Sequence, residues 1–166
     1  MAKKKVKATK LVVGLPFELG KLEFEPDEAE RRAAWELYVE LSTRIAVQPL
    51  GPDEGILREA LTSLYNVFGA TREILREAGP RVARGRNSVG AVAIKVLNVG
   101  LRPFLSKWHP LLQEYEAKRP PDVSVRDHER NWEREAELRE ELNELRKEMI
   151  VYADALAQIA GVDTDE

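Results

Sequence analysis

The 166-residue chain contains no cysteine and only two histidines. The lack of cysteine excludes disulfides, thiolate metal sites, iron–sulfur clusters and thiol nucleophiles. His109 and His128 are not preceded three residues earlier by glutamate, as a carboxylate-bridged metal site in a helical bundle requires. The sequence therefore predicts no metal, no cofactor and no catalytic constellation, and we expect the protein not to be an enzyme.

Glycine-rich nucleotide motifs and signal-peptide features are also missing. The glycines in the middle of the chain fit neither the Walker pattern nor the dinucleotide fingerprint. The first residues lack the apolar core of a signal peptide, and charges interrupt the apolar runs that could cross a membrane. These features predict a cytoplasmic protein without a membrane span.

Charge is unevenly distributed, although the formal net charge is only −3. Residues 1–10 carry five lysines, and residues 61–120 carry six more positive than negative charges. Residues 11–60 and 121–166 are acidic by six and by eight charges. An acidic last segment beside a basic middle segment would let neighbouring helices neutralise one another. Residues 1–10 read as a disordered basic tail, and residues 163–166 as a frayed acidic end.

Residues 11–25 predict a small N-terminal β-hairpin. Gly20-Lys21 suits a two-residue loop, which would set Leu19 against Leu22 and Phe17 against Phe24. Because two strands alone are marginal in water, we expect the hairpin to pack on the helices or to add its edge to another chain.

Apolar residues that alternate at spacings of three and four predict four amphipathic helices. Their spans are about 26–47, 53–78, 89–115 and 125–160. The last helix has the most regular apolar stripe, formed by Leu138, Leu142, Leu145, Met149, Tyr152, Leu156 and Ile159. Pro103 and Pro110 lack an amide donor, so the third helix should kink near Gly100–Arg102 and again near His109.

The predicted fold class is therefore mainly all-α. We expect a four-helix antiparallel bundle with a kinked third helix, a long C-terminal helix and the small hairpin. A single helical-bundle domain should span residues 11–162, since no low-complexity linker divides it.

The C-terminal helix is longer than its apolar stripe. Extended backward, the stripe meets Glu135, Asn131 and His128, so the start of this helix should overhang the core with His128 exposed. This predicts a coiled-coil-like interaction module, an adaptor or regulatory subunit that binds a protein partner or itself. The candidate partner-contact residues are Val125, Trp132, Phe17 and Phe24. For Trp132, packing on the hairpin or the third helix is the favoured interpretation, and partner contact is the alternative.

An anion site between the second and third helices is the alternative function. Its candidate residues are Arg72, Arg76, Arg81, Arg84, Arg86 and Ser88. Together with amides at the start of the third helix, they could bind the phosphate of a nucleotide, nucleic acid or phospholipid. Alternatively, the arginines pair with acids such as Glu73 and Glu77 at the end of the second helix. No aromatic residue is interleaved for base stacking, so nucleic acid is weakly supported.

Overall fold

The computed structural model describes residues 10–164, except the side chain of Ile45, and shows a mainly helical chain with one two-stranded antiparallel hairpin in this range. The predicted basic tail, apart from Lys10, and the end of the predicted acidic terminus lie outside the described residues. The strands and α-helices are β1 Leu11–Gly14, β2 Lys21–Phe24, α1 Glu28–Ser42, α2 Leu57–Ala78, α3 Val89–Lys95, α4 Arg102–Glu116, α5 Val125–Arg130 and α6 Glu135–Ala160.

Several helix ends are stabilised by capping residues close to them in the sequence. Asp27 and Glu30 cap α1 reciprocally, since each side chain accepts a hydrogen bond from the other residue's amide. The hydroxyl groups of Ser88 and Ser124 accept amides in the first turns of α3 and α5. Gly79 ends α2 with a φ of 81°, a conformation that residues with a Cβ rarely adopt.

The start of α2 is later than predicted, at Leu57 rather than near Asp53. Ile56, which precedes the helix, has no side chain that can accept a hydrogen bond. The carboxylate of Glu129 accepts the amides of Leu57 at 2.8 Å and Arg58 at 3.1 Å instead. A residue 72 positions away in the chain therefore caps this helix, which local sequence could not indicate.

The hairpin register differs from the prediction. Leu11 pairs with Phe24 and Gly14 with Lys21, so residues 15–20 form the loop. Pro16 has no amide for the strand ladder, which explains why β1 ends before it. The predicted pairing of Phe17 with Phe24 is therefore wrong, and Phe17 lies in the loop with a φ of 56°.

The predicted long helix Val125–Ala160 is interrupted between α5 and α6. The turn at residues 131–134 contains neither proline nor glycine, so local propensity does not explain the break. Trp132 in this turn is buried against the rings of Tyr115 and Trp108, at centroid distances of 5.4 and 6.0 Å. Burial of the indole in this position favours the turn over a straight helix.

Buried polar residues hold α5 against α4. His128, which was predicted to be exposed, is only 8% exposed, and its ring stacks on that of Tyr115 at 4.0 Å. Its Nε2 donates to the Tyr115 carbonyl at 2.8 Å, and the Tyr115 hydroxyl donates to the His128 carbonyl at 2.7 Å. The predicted solvent-exposed overhang is therefore wrong for this part of the chain.

The helical stretch Val89–Glu116 is continuous through a π-helical segment at Val96–Leu101, just before Pro103. This segment lies close to the first predicted kink, which was expected near Gly100–Arg102. Helix α4 continues through Pro110, so no break occurs near His109. Tight packing accompanies the π segment, because an added Cβ at Gly100 would lie 2.3 Å from the Phe17 ring.

The stretch Val89–Glu116 is also long and apolar enough to cross a membrane, judged by length and composition alone. The expectation that charges interrupt every such run is wrong here. Half of its most apolar window is buried inside the fold, and the core helix of a soluble protein meets the same criteria. The segment is therefore weak support for a membrane span.

Gly100→Ala should destabilise the protein by about 1–3 kcal/mol, because the new methyl group would overlap the Phe17 ring. Urea denaturation measures the free energy of unfolding. Gly69→Ala is the matched control: Gly69 lies in α2 with no atom near an added Cβ, so alanine there should stabilise by about 0.5–1 kcal/mol. Equal gains at both positions would contradict the close contact. In a protein that already carries Phe17→Ala, Gly100→Ala should lower the free energy of unfolding by less than it does in the wild type.

Glu129→Gln should become progressively more stable relative to the wild type as pH rises from about 4 to 8. Burial raises the pKa of Glu129 above 4.5, although the amides of Leu57 and Arg58 partly oppose this. A carboxyl group with a raised pKa stabilises the fold below its unfolded-state pKa, and this contribution disappears as pH rises through the folded-state value. Urea denaturation across this range gives the difference, with Glu133→Gln on the neighbouring turn as the charge control. If the stability of Glu129→Gln relative to the wild type instead decreased as pH rises, the burial of an ionised carboxylate would be contradicted.

Candidate functional site

An open groove of about 510 Å³ lies between the hairpin loop, α4 and the first half of α6. Three apolar side chains and five carboxylates line it: Phe17, Phe104, Leu145, Glu137, Glu140, Glu141, Glu144 and Glu148. The two phenylalanines are half-buried, so part of each ring faces solvent. No basic side chain of residues 10–164 lines the groove, which combines an apolar floor of Phe17, Phe104 and Leu145 with acidic side chains.

The hairpin loop is fixed to both helical walls through Phe17. Its amide donates a 2.7 Å hydrogen bond to the carboxylate of Glu148 on α6. Its ring lies against Gly100, where only a residue without a side chain leaves room. The left-handed conformation of Phe17, with a φ of 56°, is thus supported by a charged acceptor and a close packing contact.

Two of the carboxylates are held by cations at the α4 side of the groove. Lys107 and the indole N–H of Trp108 each donate to Glu141 at 2.6 Å. Arg134 donates two hydrogen bonds to Glu137, at 3.0 and 3.1 Å. The Lys107 hydrogen bond is the main cause that lowers the pKa of Glu141, and the Arg134 hydrogen bond that of Glu137. Both groups therefore remain ionised at neutral pH.

The other three carboxylates have fewer charged contacts. Glu144 pairs with Lys147 at 2.7 Å, and both side chains are about two-thirds exposed. Exposed pairs of this kind contribute little and exchange readily with other partners. Glu140 is exposed, and Glu148 accepts the Phe17 amide. Negative charge is therefore most available along the outer side of α6.

The predicted anion-binding residues are not brought together into one site. Arg72 and Arg76 lie in one concavity with Glu73 and Glu77, whereas Arg81 and Arg84 lie in another with four acids; the acids of the second are Glu23, Glu25, Asp27 and Glu30. Arg86 lines neither concavity.

Intramolecular partners already occupy key groups of the second concavity. The Arg81 guanidinium donates to Asp27 at 2.8 Å, and the Val89 amide at the start of α3 donates to Glu30 at 3.2 Å. Ser88 is buried, and its hydroxyl group donates to the Gly85 carbonyl. Arg81 is therefore paired within the fold, but with Asp27 before α1 and not with Glu73 or Glu77, and phosphate binding stays a prediction.

Of the predicted partner-contact residues, only Phe17 lines the groove. Val125 is 38% exposed at the start of α5, away from the groove walls. Phe24 and Trp132 are buried in the core and offer no open surface. Phe104 and the five carboxylates were missed, because apolar periodicity does not indicate which side chains of different helices lie close together.

His109 belongs to a hydrogen-bonded cluster of side chains that joins α2 to α4. Arg58 donates to His109 Nδ1 at 2.7 Å and makes two hydrogen bonds to Glu116. Because arginine can only donate, His109 Nδ1 must act as the acceptor. Tyr65 stacks on the His109 ring. Among residues 10–164, no group of three metal-ligating side chains is present.

No family model, curated protein or solved structure matches the chain.

Proposed function

We propose that the protein is a non-enzymatic interaction module, an adaptor or regulatory subunit, that binds a protein partner through the groove. The observation that supports this proposal most strongly is that Phe17 and Phe104 are only partly buried and lie beside ionised carboxylates. Aromatic rings at the centre of a polar border are the usual anchors of protein interfaces.

The state of the carboxylates supports binding rather than acid–base catalysis. A carboxyl group that donates a proton near neutral pH needs a raised pKa. Cationic neighbours lower the pKa of Glu137 and Glu141 instead. These groups suit electrostatic recognition, which requires charges that persist at the working pH.

We further propose that the helices form a four-helix antiparallel bundle with a kinked third member. In this arrangement α1, α2, the stretch Val89–Glu116 and α6 are the four members, and α5 is a cap across one end. The extensive packing of α1 on α6 and α2 supports it, as does the π-helical segment before Pro103. A bundle of this kind leaves the hairpin on the outside of α6, where its loop can form a groove wall.

The proposal predicts that a partner protein is lost when the apolar floor is removed. Immobilised wild-type protein and Phe104→Ala are exposed to an extract of the source cells, and bound proteins are quantified by mass spectrometry. At least one protein should be depleted about tenfold on Phe104→Ala, because truncation of an aromatic anchor costs roughly 1–2 kcal/mol or more.

Tyr65→Ala is the matched aromatic control, since Tyr65 is 61% exposed on α2 and does not line the groove. It should retain the same proteins as the wild type. Because Phe104 is half-buried, thermal unfolding is used to check that Phe104→Ala remains folded. The double variant Glu140→Lys with Glu144→Lys tests the groove independently, since both positions are exposed. An identical set of bound proteins on all variants would refute the groove as the contact surface.

A further inference from the structure

We infer that the groove accepts a basic amphipathic helix of a protein partner, which lies alongside α6 and inserts an apolar side chain between Phe17 and Phe104. This inference rests on the proposed function and specifies the chemistry of the partner. It follows from the spacing of the carboxylates, the charges that remain available and the position of the apolar floor.

The carboxylates repeat with the period of a helix. Glu137, Glu141, Glu144 and Glu148 are separated by four, three and four residues, so they form one row on α6. The row covers roughly 16 Å at about 1.5 Å per residue. A second helix packed at a small angle presents side chains with the same repeat. An extended peptide would fit this row less well. Its side chains on one face lie about 6.7 Å apart, so four of them would span roughly 3–4 Å more than the four carboxylates do.

The remaining charge favours a basic occupant. Five carboxylates line the groove, and three cations contact them from its edges, namely Lys107, Arg134 and Lys147. Arg134 and Lys107 pair with Glu137 and Glu141, which are the first two carboxylates of the row. Among the described residues, Glu140 and Glu148 have no salt-bridge partner, and Glu144 pairs with Lys147 only at an exposed position. Lysine or arginine at helical spacing would complement these three carboxylates.

The apolar floor defines where the partner helix is anchored. Phe17 from the hairpin loop, Phe104 from α4 and Leu145 on α6 supply the apolar part of the lining, and the Phe17 amide donates to Glu148 at the end of the carboxylate row. An aliphatic side chain adjacent to the basic row of the partner would cover the exposed ring surface. This pattern of a charged row beside an apolar row is that of an amphipathic helix in a groove.

The test uses a designed, alanine-rich peptide of about 18 residues, long enough for substantial helicity. It carries four lysines at spacings of four, three and four, with leucines on the adjoining row. A second peptide has the same composition in scrambled order. Fluorescence anisotropy with the full chain should show that the designed peptide binds at least about tenfold more tightly than the scrambled one.

Charge exchange then places the peptide in the groove. Glu140→Lys with Glu144→Lys should weaken binding about tenfold or more, and a peptide with two lysines changed to glutamate should recover binding to that variant. Glu73→Lys with Glu77→Lys makes the same charge change at the same spacing on α2, outside the groove, and should leave affinity within about twofold. Phe104→Ala should weaken binding without changing its dependence on salt.

Equal binding of the designed and scrambled peptides would overturn the inference, because charge attraction alone would then explain it. Failure of both peptides alongside groove-dependent capture of a partner would reject the basic helix but keep the proposed function. Loss of groove dependence in both experiments would reject the proposed function as well. A dimer seen by light scattering and abolished by Glu140→Lys with Glu144→Lys would identify a second copy as the occupant, which also overturns the inference.

Discussion

The contact between Phe17 and Gly100 is the constraint on which the position of the hairpin loop, and so of the groove, depends. A two-stranded hairpin is marginal on its own, so its position must come from packing against the helices. Gly100 leaves space for the ring within the π-helical segment of the core helix, and Glu148 accepts the Phe17 amide from α6. One residue therefore joins the hairpin loop to two helices, and the same arrangement leaves part of its ring in the groove.

The sequence predicts those parts of the fold that depend on local chemistry. Apolar periodicity locates α1, α2 and α6, and caps such as Asp27 and Ser124 mark helix starts because the hydrogen bonds join residues only three positions apart. The mainly helical class with a small hairpin follows from these signals. It is confirmed by the structure.

The differences arise where distant residues compete with local preference. Glu129 caps α2 from far along the chain, and Trp132 interrupts the long helix by packing on aromatic residues of α4. Of the polar residues that suggested a solvent-exposed overhang, His128 is buried because it exchanges hydrogen bonds with Tyr115, whereas Asn131 is exposed. Apolar periodicity depends only on the polarity of each residue, so it contains no information about which distant residues form hydrogen bonds with one another. For the same reason periodicity did not indicate that Phe17 and Phe104 lie beside the acids of α6.

The two components of the groove have separable physical roles in binding. Exposed, ionised carboxylates act over roughly a Debye length, so they mainly raise the rate of encounter with a basic partner and exclude acidic ones. The phenylalanine rings act only at contact, where burial of apolar surface slows dissociation. A partner that satisfies only the carboxylates would bind quickly and leave quickly, as a flexible lysine-rich segment would. Selective, lasting binding requires the basic row and the apolar anchor on one rigid element, and a helix supplies both at the spacing that α6 presents.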